Sequence, residues 1–168
     1  MTFDWTKFEQ KIFLEKPLPE VFLAWTTAKG LKKWFLKEVK IEAADGHLRA
    51  ESEDLKTGDR YSWEWYYPAK EKGHVLEVQE NKLFKFTFGM SEGVPINVTV
   101  RFESVNGCTK VTLQQSEIGL SEDSRIQDYL GCSTGWCFFL TNLKSILEHG
   151  IDLREKKSQY LEERPVNH

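Results

Sequence analysis

Between Val39 and about Glu117, apolar residues recur at every second position and fall on one face only. Tyr61, Trp63, Trp65 and Tyr67 share one side of a strand, while Ser62, Glu64 and Tyr66 share the other, and Pro68 ends it. Phe84, Phe86 and Phe88 repeat the pattern over residues 83–90, and Ile96, Val98, Val100 and Phe102 repeat it over residues 96–102. Val39 and Ile41 begin the series, residues 75–78 add a short strand after Gly73, and Val111 and Leu113 close it within residues 109–115. Asp45-Gly46 and Asn106-Gly107 are hairpin turn signals. A period of two with short turns predicts an antiparallel meander, and a sheet with one apolar face must be covered on that side.

The cover is read from a change of period. Tyr129, Ser133, Trp136, Leu140, Leu143 and Leu147 are spaced 4, 3, 4, 3 and 4 residues apart, the stripe of a helix lying on a flat apolar surface. Phe139 and Ile146 widen it. Ser121 is an N-cap followed by Glu122 and Asp123, and Gly150 is a C-terminal cap. Gly131 and Gly135 each cost about 1 kcal/mol relative to Ala inside a helix. The spacing therefore predicts a main helix over residues 134–149, with either a break near Gly131 or a close backbone approach there. At the other end of the chain, Phe8, Gln10, Ile12 and Leu14 form one face of a first strand. Pro17-Leu18-Pro19-Glu20 then starts a helix carrying Val21, Ala24, Trp25 and Ala28. Thr27 and Gly30 break it into an elbow before a second short helix with Leu31, Trp34 and Phe35. Residues 43–59 read as a long hairpin or loop at one rim, and residues 152–168 as a solvated or frayed tail. The expected organisation is one α+β domain over residues 1–168, with a core of about residues 6–150 and a tail over 151–168.

Charge and composition limit the partners. The chain has 168 residues, with 23 Lys+Arg against 26 Asp+Glu, so the formal charge is 23 − 26 = −3 with no basic block. That offers no electrostatic footprint for a phosphate backbone, which argues against nucleic acid. The N-terminus lacks an apolar signal core, and the longest uncharged run, residues 129–143, is shorter than the roughly 20 residues of a membrane span. A cytoplasmic location is expected. Cys108, Cys132 and Cys137 have no C-x-x-C or histidine spacing and read as reduced, small apolar residues. His47, His74, His149 and His168 sit at turns or ends without partners, and no nucleophile elbow, zinc motif or phosphate loop occurs. The residues assign no catalytic group, no metal and no cofactor.

The order strand, two short helices, antiparallel strands and one long C-terminal helix resembles the helix-grip fold of the START and Bet v 1-like superfamily. Pro19-Glu20-Val21-Phe22 through Trp25-Thr26 to Leu31 and Trp34-Phe35 is similar to the entry motif of the family named for homology to the activator of Hsp90 ATPase. Gly73-His74-Val75-Leu76-Glu77-Val78, Leu83-Phe84-Lys85-Phe86-Thr87, and Gly135-Trp136 through Leu140, Leu143 and Leu147-Glu148-His149-Gly150 resemble its central strands and final helix. Residues 43–59 depart from it, lacking the glycine-rich strand that many members carry.

The resemblance implies a curved sheet wrapped around the C-terminal helix, with a cavity between them for a small apolar or amphipathic molecule. Its candidate lining is Trp25, Trp34, Phe35, Trp63, Trp65, Phe84, Phe86, Phe88, Val98, Val100, Trp136 and Leu140. Gln10, Glu64, Tyr66 and Glu77 are candidate polar contacts. A filled aromatic core is the competing reading, because interiors are close-packed. Gly131, Ser133 and Gly135 beside Trp136 either make room at one end of the cavity or kink the helix. Three functions stay open: binding of the small molecule without catalysis, a protein-interaction role with a chaperone, and a cyclase or aromatase activity of the polyketide type. The chaperone role is weakened because the first strand already begins by about Phe8, leaving no separate chaperone-binding domain ahead of it. The enzyme reading requires Glu64 or Glu77 in the cavity, against a strand alternation that turns them outward. A monomer and a homodimer are equally compatible with the sequence.

Overall fold

A computed structural model describes residues 3–168. Its elements run β1 (Lys7–Leu14), α1 (Leu18–Thr26), α2 (Ala28–Trp34), β2 (Glu38–Glu42), β3 (Arg60–Glu64), β4 (Lys70–Gln79), β5 (Leu83–Ser91), β6 (Val94–Val105), β7 (Cys108–Ser116), α3 (Glu122–Ser124), a π-helical stretch Arg125–Gly131, α4 (Cys132–His149) and α5 (Ser158–Leu161). The strands form one seven-stranded antiparallel sheet in the order β1-β7-β6-β5-β4-β3-β2. The sheet curves around α4, whose Trp136, Phe139, Leu140, Leu143, Ile146 and Leu147 are buried on it. Burying such side chains is worth about 1.5–3 kcal/mol each, which is why the helix holds despite its glycines.

The elbow between α1 and α2 is fixed by one threonine and one glycine. Thr27 Oγ1 accepts from the Gly30 amide at 2.9 Å and donates to the Leu23 carbonyl at 2.8 Å, capping one helix while closing the other. A Cβ on Gly30 would collide with the backbone at Leu23 and Ala24, so the close crossing of the two helices requires glycine. Residues 43–59 dock on this elbow as the rim segment expected from the sequence. Leu55 is buried, its amide donates to Thr26 O at 2.7 Å, and the pair of half-buried Arg49 with buried Asp59, at 2.6 and 2.9 Å, locks the segment's end.

Two regions differ from the sequence reading. The helix does not break at Gly131: α3, the π-helical stretch and α4 are continuous from Glu122 to His149. The Cys132 amide reaches back to Gln127 O, and the Asp128 carbonyl accepts instead from the buried Gln115 side chain at 3.0 Å. Ser91 holds the Asp128 carboxylate at 2.5 Å, so the wider turn is pinned from the sheet side.

The tail is not frayed. Arg154 is buried and donates to Leu36 O, Lys32 O and Lys33 O, capping the end of α2, while it pairs with Asp152 at 2.7 Å. Buried Asn142 on α4 joins Trp34 O, Asp152 and the Leu153 amide. Partial burial of the Asp152 carboxyl opposes ionisation, but hydrogen bonds from Arg154 and Lys156 outweigh it and hold the group well below the usual carboxylate range. Local composition hides this anchor, because a charged tail reads as solvated until a set of helix-end carbonyls is brought to meet it.

The cysteines are free thiols, with Cys137 exposed and Cys108 and Cys132 half-buried rather than fully enclosed. Among the described residues no helix is long and apolar enough to cross a membrane, and no group of three or more His, Cys, Asp or Glu side chains is placed to hold a metal ion.

Candidate functional site

The aromatic interior is filled at one end and hollow at the other. Next to the elbow, Trp25 and Trp34 lie 4.6 Å apart, Trp34 stacks on Phe35 at 5.2 Å, and the Trp34 indole donates to Ala24 O at 2.9 Å. On the far side of Phe35, a hollow of about 350 Å³ opens between the sheet and the start of α4. Its walls are Phe35, Trp65, Tyr67, Phe88, Trp136 and Phe139, its helix side is Gln127, Gly131, Cys132 and Gly135, and His168 of the tail borders it.

Each wall is held from behind. Trp136 is fixed because its indole donates to Gln115 Oε1 at 2.9 Å, and Gln115 is itself tied to the π-helical stretch. Phe35 crosses Phe139 at 4.8 Å and 79°, and Trp65 crosses Phe88 at 6.2 Å and 72°. A Cβ built on Gly135 meets nothing within 4 Å. The glycine therefore contributes open space to the helix side of the hollow. The indole N–H groups of Trp25, Trp63 and Trp65 and the Gln10 Oε1 are buried without a hydrogen-bond partner. Such groups cost about 1–3 kcal/mol each, a stability sacrifice concentrated in this aromatic layer.

Of the twelve apolar candidates, the structure brings Phe35, Trp65, Phe88 and Trp136 together around the hollow. The other eight pack elsewhere in the interior: Trp25 and Trp34 at the elbow, Trp63 stacked on Tyr61 at 3.8 Å, Phe84 and Phe86 on β5, Val98 and Val100 on β6, and Leu140 on α4.

None of the polar candidates lines the hollow. Gln10 faces inward but spends its amide on Ser133 O at 2.6 Å, tying β1 to α4. Glu64 lies on the outward pleat and pairs with Lys70 at 2.8 Å, and this bond holds its carboxyl below the ordinary value. A bulge between Val75 and Glu77 keeps Val78 inward and turns Glu77 out, opposite Lys85, where it accepts from Gln79 at 2.6 Å. Tyr66 borders a separate groove of about 720 Å³ beneath the tail, with Arg154 and Lys156 over its ring at 5.4 and 5.3 Å. Tyr67 and His168 border both spaces, crossing at 4.7 Å and 80°, and form the partition between them.

The inward carboxylate is Glu71, which the sequence reading missed. It stands opposite Trp63 on the inner face of β4, where the Gly89 amide donates to it at 3.3 Å. The β4–β5 ladder stops at the pair Val75 and Phe86, and the Tyr61 hydroxyl crosses to Thr87 O at 2.5 Å. Gly73 makes this possible, since a Cβ there would fall on the Tyr61 ring and hydroxyl. Burial pushes the Glu71 carboxyl up, against hydrogen bonds from the Gly89 and Lys72 amides. Burial also pushes up the Cys132 thiol, against a hydrogen bond with Gln115, and the charges of Asp128 and Glu71 add to the rise. Glu71 was hidden because Lys70-Glu71-Lys72-Gly73-His74 carries no apolar alternation. Gln115 was within reach, since it continues the inward series of Val111 and Leu113.

Residues 15–148 match the model of the family described as activator of Hsp90 ATPase homolog 1-like protein. Among solved structures, the protein SSP2350 from Staphylococcus saprophyticus is similar at 23% identity and a TM-score of 0.68, covering 88% of this chain and 96% of that one. The Aha1 dimer from Colwellia psychrerythraea is similar at 21% identity and a TM-score of 0.66, covering 86% and 97%. An HSP90 activator from Plasmodium falciparum is similar at 26% identity and a TM-score of 0.61, covering 84% and 96%. Among curated proteins there is no match.

Proposed function

The chain belongs to the activator of Hsp90 ATPase homolog 1-like family, and from that premise we propose that it takes up a small apolar or amphipathic molecule in the hollow between its sheet and C-terminal helix, without catalysing a reaction on it. The observation that carries this reading is the hollow of about 350 Å³ with six aromatic walls and two glycines on its helix side. Spaces of this size and lining are typical of small-molecule sites. Gln127 and Gly131 are exposed on its helix side, and Tyr67 and His168 close it on the tail side. Native mass spectrometry of gently purified protein, followed by mass analysis of what denaturation releases, tests it. A stoichiometric small apolar molecule is the expected result. A protein that arrives empty and fails to take up an aromatic or lipid probe overturns the reading.

The likeness to the Plasmodium falciparum activator supports a second reading, in which the partner is a chaperone. Co-purification with Hsp90 and a change in its ATPase rate are expected on that reading, and an unchanged rate with no co-elution removes it. A cyclase-type activity has lost its two acid candidates, because Glu64 and Glu77 point away from the hollow.

A further inference from the structure

Resting on the reading of the hollow as a ligand site, we infer that its occupant is an uncharged, planar molecule of two or three fused rings with at most a small hydrogen-bonding substituent, in preference to a fatty acid or other flexible amphiphile. The shape of the walls is the first reason. On the helix side Gly131 and Gly135 present backbone beside the side chains of Gln127 and Cys132, with open space where the Gly135 side chain would be. A flat ring lies against such a surface, facing Trp65 and Phe88 across the gap. The walls are already mutually inclined, Phe35 with Trp136 at 32°, Phe88 with Trp136 at 47° and Trp65 with Phe88 at 72°. An inserted ring therefore meets both faces and edges, the arrangements aromatic pairs favour beyond simple area burial. A flexible chain gains no such geometry and loses its rotamer freedom on entry.

Charge is the second reason. No Lys, Arg, Asp or Glu lines the hollow. The inward Glu71 sits behind it, near enough for its charge to act on Cys132 in the wall. An anionic headgroup brought inside would shed its hydration, find no Lys or Arg side chain and lie near the Glu71 carboxyl. What the wall does offer is the buried, unpartnered indole N–H of Trp65, with the Cys132 thiol and the Tyr67 phenol, both pushed up by burial, and Gln127 and His168 at its edge. Neutral donors of this kind suit a carbonyl or hydroxyl on the ring. Size is the third reason: about 350 Å³ is at the low end of the range for small-molecule sites and excludes a two-chain lipid.

Equilibrium dialysis of the intact chain against three probes tests the inference: acetylnaphthalene, the flexible ketone dodecanone with the same number of carbons, and naphthoate with the same rings and a charge. Acetylnaphthalene is expected to bind roughly tenfold or more tightly than either of the others. Gly135→Leu is expected to abolish that binding with an unchanged circular dichroism spectrum, because its side chain grows into open space. Dodecanone binding as well as acetylnaphthalene overturns the planar-ring inference and leaves the hollow standing as a ligand site. Naphthoate binding equally overturns the requirement for neutrality. Ring binding that survives Gly135→Leu overturns the location, and no binding of any probe brings down the reading of the hollow itself.

Discussion

At the elbow end of the interior, Trp25, Trp34 and Phe35 fill the space between two short helices and the sheet, with successive ring centroids 4.6 and 5.2 Å apart. On the far side of Phe35, which belongs to both regions, Trp65, Tyr67, Phe88 and Trp136 are residues of the same kind, yet they leave a hollow. The backbone behind the rings makes the difference. The elbow brings α1 and α2 so close that Gly30 has no room for a Cβ, and rings are pressed together from two directions. Trp65 crosses Phe35 at 5.6 Å, but the helix side of the hollow carries Gly131 and Gly135, and at Gly135 a side chain would meet open space. Aromatic content alone thus decides neither a packed core nor a pocket; the number of layers converging on the rings does.

That contrast breaks first at its extremes. Trp34→Ala removes a fully buried ring and its indole bond to Ala24 O, and is expected to cost about 3–5 kcal/mol in urea unfolding. Phe88→Ala, at a half-buried ring that already borders space, is expected to cost about 2 kcal/mol or less. Equal losses would mean that the hollow end is as tightly filled as the elbow.

The tail tests whether the hollow has a held border. Arg154→Ala leaves the carbonyls of Leu36, Lys32 and Lys33 without their side-chain donor and removes one partner of Asp152, at an expected cost of about 3 kcal/mol. Hydrogen exchange of residues 152–168 is expected to quicken with it, and unchanged protection would show that the tail is held elsewhere.

Smaller effects sharpen the comparison. Gly135→Ala should raise stability by about 1 kcal/mol, since helix propensity improves and nothing is struck. Gly30→Ala, the same exchange at the filled end, should destabilise, and melting curves of the pair measure the difference directly.

Glu71→Gln is expected to have the least effect and to depend on pH. Burial raises the Glu71 carboxyl in the fold, so its protonated form is favoured there. That advantage is fully present below the ordinary carboxylate pKa and is lost as pH rises through the folded value. The variant should therefore melt with the parent near about pH 3 and above it near about pH 7. A parallel pair of curves would place Glu71 in solvent.

The fold was legible because its patterns are local. Period-two aromatics in β3 and β5, the stripe from Tyr129 to Leu147, and the proline start with a Thr27–Gly30 break each announce an element and its buried face. The site was legible only in part. Phe35, Trp65, Phe88 and Trp136 are among the candidates, and Gly131 and Gly135 read either as room at one end of the cavity or as a kink in the helix. Nothing along the chain separated these from Trp25 or Trp34, which present the same side chains in the same kind of pattern. Glu71 was invisible for the opposite reason, lying in a charged run whose strand exists only through pairing with β3.

What the amino-acid sequence determined by itself was therefore the identity and order of the elements and the face each one buries, because these follow from spacings of two to four residues along one chain. The tertiary structure decided which rings touch and which stand apart, that Asn142, Asp152 and Arg154 close over the end of α2, and that Tyr67 meets His168 at the border of the hollow. Those outcomes depend on distances between residues about a hundred positions apart, and a void is the absence of a neighbour, which no local pattern encodes.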